Sequence, residues 1–119
     1  MSDAILSLLQ RNLFEVLSER DGAKRREALT EIWHGDGTFV NPDGRHVGRV
    51  EIDHTVERLL AKFPDFVFTE RSAPEGFHGV GRIGWAFGAP GKPPLVTGID
   101  VAEATAGKLK LLFAFVDPR

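Results

Sequence analysis

Asp100 stands in the middle of Leu95-Val96-Thr97-Gly98-Ile99-Asp100-Val101, a run that reads as a β-strand. Aspartate is depleted in strands, so a carboxylate at this point asks for a reason. Alternation puts it on the same face as Val96, Gly98 and Ala102. On a concave face, the carboxyl would project into an apolar hollow, where desolvation favours its neutral form. A neutral carboxylic acid can donate a hydrogen bond to a carbonyl or enolate oxygen. Asp100 is therefore the candidate catalytic acid. The plainer alternative is an ion pair with Arg82 on the preceding strand, across the Gly88–Pro94 loop; the two are not exclusive, and Arg82 is also a candidate ligand-binding residue.

Asn41 precedes Pro42 and has no useful basicity, but its amide can orient a ligand or a water. Its other reading is an ordinary turn residue. Among the histidines, His34 is expected at a helix end, His46 exposed in a hairpin and His54 exposed on a helix. His78 opens a strand beside Gly79 and could sit at a pocket rim. No two histidines have metal-ligand spacing and there is no cysteine, so neither a metal nor a cofactor is expected. Trp85, with Ile83 and Phe87 on its face, is the first choice for lining a cavity; Trp33 and Phe39 follow. The glycine-rich stretch Gly88-Ala89-Pro90-Gly91-Lys92-Pro93 lacks the pattern of a phosphate loop, and its prolines remove amide donors. No Gly-x-Ser-x-Gly elbow occurs.

These residues need elements to hold them. Ile5, Leu9, Leu13 and Val16 recur at helical spacing and predict a helix over 3–19, capped by Ser2 or Asp3 and ended by Asp21-Gly22. A second helix is expected over 23–34, with Ala28, Leu29, Ile32 and Trp33 buried. The basic run Lys24-Arg25-Arg26 reads as its solvated face. Thr38-Phe39-Val40 is a short strand, Asn41-Pro42-Asp43-Gly44 a turn, and Val47 part of a return strand. A third helix over 50–62 buries Ile52, Val56, Leu59 and Leu60 and exposes Asp53, His54, Glu57 and Arg58. The remainder reads as an antiparallel meander of strands at 66–73, 77–88, 95–103 and 108–116. Helices first and a meander second is an α+β arrangement.

Three stretches carry a likeness: Trp33-His34-Gly35-Asp36-Gly37-Thr38-Phe39-Val40-Asn41-Pro42 with Gly48 behind it, Phe63-Pro64-Asp65-Phe66, and Gly98-Ile99-Asp100-Val101 leading into Gly107-Lys108. In this order and spacing the chain resembles the nuclear transport factor 2-like (NTF2-like) superfamily, nearest its ketosteroid isomerases and SnoaL-like polyketide cyclases. The resemblance implies a cone-shaped α+β barrel, with N-terminal helices packed on a curved antiparallel sheet and an open end that admits a ligand. It implies a homodimer, and it puts Asp100 where those isomerases carry a hydrogen-bond-donating acid. Two other isomerase groups are missing. Asn41 stands where they carry an aspartate base. The chain has no tyrosine, and Asn12 or Leu13 lies near the tyrosine's place. Isomerisation by that particular mechanism is therefore not expected.

The 119 residues fit a single domain, 1–119, and a hydrophobic share of 42% argues against disorder. A net charge of -2 without a basic face excludes a nucleic-acid partner. Met1 to Gln10 lacks a basic leader and no apolar run reaches the roughly 20 residues needed to span a bilayer, so a cytoplasmic protein without a membrane partner is expected. The expected partner is a small apolar organic ligand, held for acid–base chemistry beside a carbonyl. A non-catalytic binding or dimerisation module is the alternative. Epoxide or ester hydrolysis would need a second acid near Asp100. The dimer is expected through a sheet face carrying Leu112, Ala114 and Val116.

Overall fold

The structure is a computed structural model that describes residues 4–118. The first helix, α1 (Ala4–Arg11), passes into π-helical turns over Asn12–Leu17. Ile5, Leu8, Leu9, Leu13 and Val16 face the core along the predicted stripe. The expected cap at Ser2 or Asp3 lies outside the described residues. Asp21-Gly22 does not end this helix but starts the next. The Asp21 carboxylate accepts from the N–H groups of Ala23 at 3.0 Å and Lys24 at 3.3 Å, capping α2 (Gly22–Ile32).

The helix α2 stops before Trp33, which is extended and opens β1 (Trp33–Asn41). Pairing with the last strand outweighs the local helical pattern here, and His34 lies in a strand rather than at a helix end. Arg25 is also displaced from its expected place on a solvated face. It is 1% exposed and donates to Asp53 Oδ1 at 2.6 Å and Glu19 O at 2.6 Å, with Glu57 as a further partner. Asp53, expected in water, is buried with it on α3 (Arg49–Lys62). Packing of α2 on α3 traps the pair, and the burial is tolerable because both charges are paired, Asp53 also lying 3.7 Å from the exposed Arg26. At the far end of α3, the Arg20 guanidinium donates to the carbonyls of Leu60 (2.9 Å), Phe63 (2.7 Å) and Phe66 (2.6 Å). A cation suits a helix C-terminus, and this one also ties down the Phe63–Phe66 turn.

The strands β2 (Gly44–Val47), β3 (Val67–Phe77), β4 (Val80–Gly88), β5 (Val96–Thr105) and β6 (Lys108–Val116) complete an open six-stranded sheet in the order β2-β1-β6-β5-β4-β3. Neighbours are antiparallel except β1 and β6, which run parallel. The expected break at Ala73-Pro74-Glu75-Gly76 does not occur. The ladder shifts register between Glu70 and Ser72 and again between Ser72 and Glu75, and β3 continues. Pro74 is tolerable because β3 is an edge strand with no ladder bond to lose on its outer side. The turn falls at His78-Gly79, both with positive φ.

The helices cover one face of the curved sheet. Ile83, Trp85, Phe87, Ala102, Leu109 and Leu112 of that face join the helical stripes in one core. Leu112 is fully buried there and Ala114 and Val116 share its side, which corrects the expected dimer face. The outer side of β6 carries Leu111, Phe113 and Phe115 instead. The architecture is α+β with the expected cone shape.

Candidate ligand pocket with a buried carboxyl

Gly98 decides the position of the key side chain. A Cβ at this point would overlap the Trp85 ring, so only glycine lets the indole of β4 lie across β5. From there Trp85 Nε1 donates to Asp100 Oδ1 at 2.9 Å. Asp100 itself is 1% exposed, and its Oδ2 has no hydrogen-bond partner among the described residues. Burial pushes the carboxyl up to about 7, with the Trp85 N–H pulling the other way. An indole N–H can only donate, so Oδ1 must accept and the proton of the neutral acid is left to Oδ2.

This carboxyl lies at a pocket of about 500 Å³ between α3, the end of the first helix and the concave sheet face. That volume falls in the range of roughly 300–1,000 Å³ typical of small-molecule sites. Trp85, Phe39, Phe63, Phe68 and Phe87 supply much of its wall. The Arg20 clamp on the α3 C-terminus holds Phe63 in place, and Phe63 stacks on Phe66 and meets Phe87 edge-on. Asp43, Arg58 and Lys62 form a charged, exposed rim.

A second polar group faces the same hollow. Val40 of β1 lies beside Phe113 of β6, so Asn41 comes level with Ala114, which in turn pairs with Asp100. Two strand spacings, roughly 10 Å, thus separate the Asn41 and Asp100 backbones. Asn41 Oδ1 accepts from the Asp43 N–H at 3.0 Å and lies 3.1 Å from His46 Nε2. His46 is half-buried, packs against the Phe39 ring and lines the pocket, which corrects the exposure expected from its place in the hairpin.

Of the residues singled out from the sequence, the pocket brings together Asp100, Asn41, Trp85 and Phe39. Trp33 is not among its walls; it is a core residue whose Nε1 donates to Asn12 Oδ1 at 2.8 Å. Asn12, near the place of the isomerases' tyrosine, is thus buried with Trp33, and its Nδ2 has no hydrogen-bond partner among the described residues. His78 sits exposed at the β3–β4 hairpin tip, away from the pocket. Arg82 is exposed on the outer sheet face and donates to Glu75 Oε1 at 3.2 Å. Its strand partner is Val101, whereas Asp100 faces Ile83, so the alternative Asp100–Arg82 pair does not form. His46 could have been found from the sequence. A two-residue Pro42-Asp43 turn opposes Asn41 to Gly44 and Phe39 to His46, which places His46 on the pocket face by parity.

Among the described residues no cluster of three or more His, Asp or Glu is placed to hold a metal ion. No helix among them is long and apolar enough to cross a membrane.

No protein-family model and no curated protein matches the sequence. Solved structures do. A candidate isomerase of the SnoaL-like family from Agrobacterium tumefaciens superposes with a TM-score of 0.88 at 24% identity, covering 97% of this chain and 98% of that one. A candidate ketosteroid isomerase from Kribbella flavida gives 0.74 at 13% identity over 98% and 79%. A candidate SnoaL-like polyketide cyclase from Jannaschia sp. gives 0.72 at 13% identity over 98% and 90%. Helices roofing a curved open sheet are what these superpositions share, and the chain has the nuclear transport factor 2-like fold seen in these SnoaL-like and ketosteroid isomerase-like structures.

Proposed function

We propose that the pocket binds a small, largely apolar molecule bearing a carbonyl, and that Asp100 in its neutral form donates a hydrogen bond to that oxygen. The observation that carries this is Asp100 Oδ2, a buried carboxyl oxygen with no hydrogen-bond partner among the described residues. A buried donor gains most from a ligand that satisfies it and penalises one that does not. The same interaction strengthens as charge grows on the oxygen, so it suits chemistry at the carbon next to a carbonyl.

Paired ligands of similar shape test the reading. α-Tetralone carries a carbonyl and tetralin does not. Wild-type protein is expected to prefer the ketone over the hydrocarbon by about tenfold, measured by NMR titration or thermal shift. Asp100→Leu is expected to lose that preference. In wild type the preference should hold below pH 7 and fall as the carboxyl ionises through about 7. Equal affinity of the wild type for both compounds, or no binding of either, overturns the proposal.

For assembly, the outer sheet face favours a homodimer. Ile99, Val101, Leu111 and Phe113 are partly exposed there and Phe115 is 57% exposed. They pair across β5 and β6 as Ile99 with Phe115 and Val101 with Phe113, which makes the patch continuous.

A further inference from the structure

A donor to the carbonyl oxygen needs a base in reach of the neighbouring carbon if protons are to move, and Asn41 is not one. The Asp43 N–H can only donate, so the atom of Asn41 it reaches is the amide oxygen. That oxygen also faces His46 Nε2 at 3.1 Å. An acceptor opposite Nε2 requires Nε2 to carry the hydrogen. The neutral ring then has its lone pair on Nδ1, which makes no hydrogen bond among the described residues. The Phe39 ring packs against the imidazole, with centroids 6.0 Å apart, and limits its rotation. Asp43 also borders the pocket, but it is exposed at the turn and no side chain among the described residues holds its carboxylate.

We propose that His46 is the base of this pocket and that Asn41 is the positioning residue that selects its tautomer. The inference rests on the carbonyl-binding reading above. His46 Nδ1 removes a proton from the carbon next to the ligand's carbonyl. The C–H electron pair forms the enol double bond, and the carbonyl π pair moves to oxygen, where Asp100 Oδ2–H donates. The imidazolium then returns its proton to the same carbon or to the far end of a conjugated system. Atoms and charge balance without an oxidant, reductant or cofactor. The substrate class is an enolisable ketone or ester, and the reaction an isomerisation or an exchange of α-hydrogens.

The tautomer is read first, without ligand, by long-range proton–nitrogen correlation NMR on nitrogen-labelled protein. Wild-type His46 is expected with hydrogen on Nε2, and Asn41→Ala is expected to give a mixture. A wild-type ring with hydrogen on Nδ1 overturns the inference. The second measurement is hydrogen–deuterium exchange at the α-carbon of α-tetralone in heavy water. Wild type is expected to accelerate it. His46→Gln keeps a donor for Asn41 and should leave tetralone binding little changed while slowing exchange by at least about a hundredfold. Intact binding with unslowed exchange in His46→Gln overturns the base and leaves the carbonyl reading standing. Slowing in Asp43→Asn alone also overturns it. Failure of the wild type to bind tetralone at all strikes the carbonyl reading, and the base falls with it.

Discussion

Asp100 costs the fold stability that the site requires. Its carboxyl ordinarily ionises near 3.8 and in the folded chain near 7. Below about pH 3.8 folded and unfolded chains are both protonated and burial is not penalised. Between about 3.8 and 7 the unfolded chain loses its proton while the folded chain keeps it, so stability falls as pH rises. At about 1.4 kcal/mol per pH unit the whole effect is about 4 kcal/mol, complete above pH 7. Asp100→Asn keeps an oxygen for the Trp85 N–H and cannot ionise. Urea unfolding should show the variant gaining little at pH 4 and several kcal/mol (about 4 at most) at pH 8. A gain that does not depend on pH would show that the carboxyl is not desolvated.

Among the elements, α2 and α3 meet over a buried charge rather than over oil alone. Arg25→Met leaves the buried Asp53 with only the exposed Arg26, 3.7 Å away, and should cost at most about 3–5 kcal/mol in urea unfolding. Adding Asp53→Leu removes the stranded carboxylate and should restore most of the loss, because a packed apolar pair is often as stable as a buried ion pair. If the double variant is as weak as the single one, packing rather than charge explains the defect. The same helix pair holds α3 over the pocket, so ligand affinity should follow stability in this series. The elements were largely legible from periodicity. The stripes of α1 and α3 and the four-strand meander lie where apolar spacing puts them. The start of β1 at Trp33 was not legible, because its partner Leu109 lies far along the chain; the run of β3 through Pro74 was not, because ladder pairing with β4 across the His78-Gly79 turn outweighs the local proline signal.

For the whole molecule, the sheet has two apolar sides and the helices cover one. Phe115 stands 57% exposed on the other, beside Ile99 on the adjoining strand. Light scattering at micromolar concentration should give twice the chain mass for wild type and the chain mass for Phe115→Glu. A wild-type monomer would remove the dimer. The pocket opens on the opposite side of the sheet from this patch, so the monomeric variant is expected to keep its preference for tetralone over tetralin.

The order of apolar and polar residues determined by itself that helices would roof a bent sheet, and that one strand would carry an acid on the same face as Gly98 and Ala102. Alternation and helical spacing are local rules, and Asp100 on the face of Gly98 and Ala102 follows from them. The rest needed three dimensions. Arg82 and Asp100 are near in chain pattern but point to opposite sides of the sheet, and register alone separates them. Trp33 and Trp85 are alike in sequence terms, yet one meets Asn12 in the core and the other reaches Asp100 over a glycine. Whether a carboxyl is desolvated, and which histidine shares its hollow, depends on neighbours brought from distant segments. Burial is a property of that assembly and has no local signature in the chain.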